Sequence, residues 1–157
     1  MTSWSKIARR IRVPLGFALA AVYLWRALPI WPSLMEGSVL IVLGLALRGV
    51  ASGHLRKNTE VTTSGPYARV RNPLYLGSLI VAAGFAVAAR DLWLAAAMLV
   101  FFLAVYLPVI LSEETWLRVN FPEFEEYAKH VPRLWPRLGR TGATEGRFSP
   151  ELYLQHR

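Results

Sequence analysis

The sequence predicts an all-α, polytopic membrane protein with about four transmembrane helices and an amphipathic, cytoplasmic helical segment at its C-terminal end. Three observations carry that expectation. Hydrophobic residues make up 54% of the 157 and charged residues only 18%, against about 25% charge in a soluble domain. The apolar residues gather into long runs that approach the roughly 20 residues needed to cross a bilayer core. Lys and Arg collect in three separate stretches between and around those runs. The length argues for one domain.

The first run, residues 13–31, has Pro14 in a tolerated first-turn position and Trp25 and Trp31 near its far end, where aromatic side chains favour the interface. Arg26 is its only internal charge and can snorkel. Pro29 and Pro32 break the helix, and a second run covers 33–51 with Glu36 at its entrance. The third, 73–90, begins at Pro73 and is slightly short for a full crossing. The fourth, 92–111, contains Pro108, tolerated where a neighbouring helix re-satisfies the carbonyl it frees. Residues 112–136 follow as the cytoplasmic segment, in which 113–130 reads as a helix or helix pair interrupted at Pro122. Trp116, Leu117, Phe121, Phe124 and Tyr127 form its apolar stripe. The Gly, Thr, Arg and Ser of 137–157 suggest a loose tail. A signal peptide is set aside for the first run, because no small-residue cleavage site follows it and the run is too long.

Lys6, Arg9, Arg10 and Arg12 precede the first run, Arg48, Arg56, Lys57, Arg69 and Arg71 sit between the second and third, and the tail adds Arg118, Lys129, Arg133, Arg137, Arg140, Arg147 and Arg157. Placing all three regions in the cytoplasm requires an even number of spans, with both termini cytoplasmic. The expected location is a bacterial inner membrane. The formal charge of +8 then finds its partner in anionic headgroups rather than in nucleic acid. With no Cys and with His54, His130 and His156 far apart, no metal-ligand spacing is present.

Two patterns could carry chemistry. Ser64-Gly65-Pro66-Tyr67 followed by Arg71-Asn72-Pro73-Leu74-Tyr75-Leu76-Gly77 reads in part as a turn, a helix cap and a close-packing glycine. Capping does not explain Arg71 with two tyrosines at a helix start, where an anion is readily held. Glu113-Glu114, after Ser112, would serve as an ordinary helix cap or as a receptor for a cation at the membrane boundary. On one membrane face, an anion receptor and a cation receptor fit a zwitterionic amino-acid moiety. His54 reads more simply as solvated or facing lipid phosphate.

These residues, with Gly53-His54-Leu55-Arg56-Lys57-Asn58, Phe121 to Tyr127 and Val131-Pro132, resemble the isoprenylcysteine carboxyl methyltransferase and phospholipid methyltransferase family of integral membrane enzymes. The likeness spans 45–136. It implies S-adenosylmethionine as methyl donor, bound at the cytoplasmic face, and a lipidic acceptor arriving from the bilayer. It departs from the family at Asn72, where Arg-His-Pro is usual; an Asn donates a hydrogen bond but does not titrate. The resemblance assigns Arg71 and the Pro73 helix start, with Asn72, to the donor's carboxylate, Tyr67 and Tyr75 to the pocket lining, and Glu113 or Glu114 to the amino group or ribose. Glu113 is preferred as nearer the membrane. Tyr127 and His54 are weaker candidates. Arg71, Glu113 and Glu114 form the catalytic set. The acceptor tail is expected between the third and fourth runs, where Gly77 and Gly84 leave room. The alternatives are a sterol- or steroid-type reductase using NADPH and a non-catalytic membrane scaffold.

Overall fold

A computed structural model describes residues 3–56, 59–137 and 148–156. Among them every regular element is helical: α1 (Ser3–Arg26), α2 (Trp31–Ser52), a short 3-10 turn (Gly65–Ala68), α3 (Pro73–Ala89), α4 (Leu92–Phe101), α5 (Leu107–Asn120), α6 (Glu123–His130) and α7 (Pro150–His156). A π-helical turn, Phe102–Tyr106, joins α4 to α5 without a break. Two helices are long and apolar enough to cross a membrane, Trp31–Ser52 and the continuous Leu92–Asn120, while Pro73–Ala89 is apolar but shorter. The helix over the first run starts ten residues earlier than the apolar stretch and carries Lys6, Arg9, Arg10 and Arg12 on its opening turns.

The chain divides into two compact units, residues 1–43 with 79–115 and residues 44–78 with 116–157. In the first, small residues bring α2 and α3 together. A Cβ on Gly84 would lie 2.6 Å from the Gly37 carbonyl, and one on Gly37 would lie 2.5 Å from that of Gly84. Gly84 is therefore filled by α2 and leaves no room there for an acceptor tail, because glycine at a helix surface invites a neighbouring backbone. Gly77, in the second unit, is filled the same way by Arg48 and the Gly44 carbonyl. Tyr23 of α1 donates to the Phe85 carbonyl (3.2 Å), and the buried Ser33 donates to that of Ala88 (3.1 Å). Asp91 caps α4, accepting from the amides of Trp93 (2.8 Å) and Leu94 (3.1 Å), and pairs with Arg26 at 2.8 Å.

Pro108 has no N–H to offer the Ala104 carbonyl four residues before it. The Trp4 indole N–H donates to that carbonyl from α1, at 3.1 Å. With the lost bond replaced, the helix passes through Pro108 and runs on to Asn120. This corrects the reading of Ser112-Glu113-Glu114 as a helix cap: all three lie in mid-helix.

In the second unit the core gathers around Phe124, Val70, Tyr67, Ala68 and Val131, all buried. The tail is also corrected in part. Residues 138–147, with Arg140 and Arg147, lie outside the described residues, as do Lys57, Asn58 and Arg157. Beyond them α7 is anchored: the Ser149 amide donates to the Gly53 carbonyl (2.9 Å), and the Phe148 ring occupies the space in which Gly53 lacks a side chain.

Candidate functional site

The connection from α2 to α3 lies in the second unit. Gly65 has φ +57°, and a Cβ there would come within 2.7 Å of the His54 ring, so both backbone and space demand glycine. The His54 Nδ1 lies 2.9 Å from the Val50 carbonyl. A carbonyl only accepts, so that nitrogen carries the proton. Pro66 then starts the Gly65–Ala68 turn, which buries Tyr67. The Tyr127 hydroxyl of α6 donates to the Tyr67 carbonyl at 2.6 Å.

The next residues are fixed by the chain after α6. The amide of Arg71 donates to the Pro132 carbonyl (2.9 Å), that of Asn72 to Arg133 (3.2 Å), and that of Arg137 back to Arg69 (3.0 Å). The Asn72 side chain also donates through Nδ2 to the Arg133 carbonyl (3.2 Å), a bond that needs an N–H donor and no titration. At the start of α3 the amides of Tyr75 and Leu76 donate to Asn72, and Pro73, fully buried, has none. Arg71 and Tyr75 are half-buried beside it.

The structure thus brings His54, Tyr67, Arg71, Asn72, Pro73, Tyr75 and Tyr127 into one unit. Glu113 and Glu114 are placed on α5 in the other unit. Glu114 is 3% exposed and Glu113 half-buried; the adjacent Ser112, also buried, accepts from the Arg9 guanidinium (3.1 Å). Burial thus singles out Glu114, which helix position relative to the membrane did not. Among the described residues no group of three or more His, Asp or Glu could hold a metal ion. Sequence reasoning also missed Arg48. It was counted with the basic connection although it falls within the 33–51 run, and it lies inside α2; a lone cation in that run was the available signal.

Comparison with known proteins bears on this arrangement. The family model for phospholipid methyltransferase matches residues 15–123. The chain belongs to the phospholipid methyltransferase family. Both helices long enough and apolar enough to cross a membrane lie within the matched residues. The chain is also similar to the nickel-cobalt-cadmium resistance protein NccN of Alcaligenes xylosoxydans xylosoxydans, 41% identical over 83 residues that cover 53% of this chain and 39% of that protein. It is 33% identical over 136 residues to the cobalt-zinc-cadmium resistance protein CzcN of Cupriavidus metallidurans, covering 81% of this chain and 62% of that protein. The chain therefore spans less than two thirds of the length of these relatives. No solved structure matches it.

Proposed function

We propose that this chain transfers a methyl group from S-adenosylmethionine to a lipidic acceptor, resembling a prenylcysteine carboxylate or a phospholipid amine, at the cytoplasmic face of a membrane that it crosses four times. The observation that carries this reading is the family match over residues 15–123, which includes the Arg71-Asn72-Pro73 segment. The donor set suits the methyl donor chemically: a half-buried guanidinium on tethered backbone can hold a carboxylate, and the half-buried Tyr75 on the first turn of α3 offers an aromatic face and a hydroxyl.

In this reading Arg71 holds the donor's carboxylate, Tyr67 and Tyr75 line the pocket, and His54 and Tyr127 support the turn that carries Tyr67. On α5, Glu114 binds the amino group or ribose, with Glu113 as the alternative. The donor supplies an electrophilic sulfonium methyl, so the protein's work is orientation and exclusion of water. A carboxylate or thiolate acceptor needs no base, and Asn72 offers none; an amine acceptor arrives having lost its proton.

Family membership favours this reading over an NADPH-dependent reductase or a scaffold. Two relatives carry heavy-metal resistance names; for this chain we read such a link as acting through methylation of a membrane component. Calorimetry in detergent tests the proposal. Binding of S-adenosylmethionine but not NADPH is expected; binding of NADPH alone, or of neither, would overturn it.

A further inference from the structure

Between Gly37 and Ser52, Arg48 is the sole charged residue of α2. Its Nη1 donates to the Leu74 carbonyl (3.1 Å) and to the Ser78 hydroxyl, and that hydroxyl itself donates to the same carbonyl (3.1 Å). The stem of the side chain crosses Gly77, where a Cβ would lie 2.6 Å from the Arg48 Cγ. The guanidinium is thus bound to α3 on the first turn after Pro73, yet the residue stays exposed.

Two neutral acceptors do not compensate a charge in so apolar a run, and charge there is costly. Among the described residues no carboxylate pairs with Arg48. Nη1 is spent on α3, which leaves Nε and Nη2 as a planar fork of the kind that matches two phosphate oxygens. An arginine that only snorkelled would not be tied to a neighbouring helix, and a simple helix staple would not need a permanent charge. At the cytoplasmic end of α2 the abundant anion is the phosphodiester of a glycerophospholipid.

We propose that Arg48, clamped by Leu74 and Ser78, is a binding site for the phosphate of a glycerophospholipid and positions the acceptor lipid; the positioning role rests on the methyl-transfer reading above. The purified protein is offered equal amounts of phosphatidylethanolamine, phosphatidylglycerol and diacylglycerol with matched chains, and retained lipid is measured by native mass spectrometry. The wild type is expected to keep both phospholipids over diacylglycerol by roughly tenfold, the value of a charge-assisted hydrogen bond. Arg48→Gln should keep all three alike, and Arg48→Lys should fall between, since an ammonium lacks the fork. Ser78→Ala keeps the charge but loosens its clamp and should lower the preference if Arg48→Gln does not fold.

An unchanged preference in Arg48→Gln, or in both Arg48→Lys and Ser78→Ala, would reduce Arg48 to a helix staple and overturn the proposal. Displacement of both phospholipids by excess inorganic phosphate would make it a free-phosphate site and overturn the lipid assignment. No readout here requires turnover, so a wild type that binds no methyl donor defeats the function proposed above while lipid preference is still measured.

Discussion

Arg71 leaves a backbone whose own amide, and that of Asn72, are tied to the carbonyls of Pro132 and Arg133, so its guanidinium stands on a fixed stalk. If it forks onto a donor carboxylate, Arg71→Lys should already weaken S-adenosylmethionine binding about tenfold or more, because an ammonium cannot reproduce two parallel bonds. Isothermal titration of the two proteins measures this; equal affinity in a folded Arg71→Ala would remove Arg71 from the donor site. Glu114 poses a different question. As a purely structural buried carboxylate, its replacement by Gln should lower the melting temperature of the free protein and spare donor affinity. As the partner of a cationic or hydroxylic donor group it should cost roughly 2–5 kcal/mol of binding. We expect the second result for Glu114→Gln and a smaller loss for Glu113→Gln. The type and place of these residues could be read in the sequence, since Arg71 is one residue from a helix-starting Asn-Pro and two acids follow an apolar run. Which acid is buried could not, because that depends on the rotation of an uninterrupted helix about its axis.

Helix boundaries were legible wherever a local signal sets them: Pro73 starts α3 and Asp91 caps α4. The cap reading of Ser112 failed because Pro108, tolerated as expected, does not end the helix. Whether a proline ends a helix depends on what meets the freed carbonyl, and here the donor, Trp4, lies 100 residues away in sequence. Trp4→Phe keeps an aromatic side chain and removes the N–H, so it should cost about 1–3 kcal/mol through an unsatisfied carbonyl, seen as a lower melting temperature in detergent. The turn between α3 and α4 gives a pH test. The Leu94 amide, with Arg26 and the Trp93 amide, holds the Asp91 carboxyl below its usual range. Since the folded value is the lower one, its stabilisation is complete above the unfolded value of about 4 and is lost as pH falls through the folded value. Thermal melts across that acid range should show Asp91→Asn less stable at neutral pH and flatter in its response to acid.

For the whole molecule, family membership rests on residues 15–123, while the four spans proposed above rest on the placement of Lys and Arg. Reporter fusions after Glu36 and Arg90 should read as external and those after Arg56 and Arg137 as cytoplasmic; an external signal after Arg137 would overturn the even count of spans. The bond from Trp4 to Ala104 also has a consequence for biosynthesis. A ribosome delivers α1 to the membrane long before Ala104 exists, so the indole must wait, uncommitted, until the last long helix has been inserted. Until the two meet, that helix carries a bare carbonyl in a medium with no water to satisfy it. The opening turns of α1 thus serve a helix made long after them, and Trp4→Phe should leave α5 synthesised in full yet more open to proteases than in the wild type.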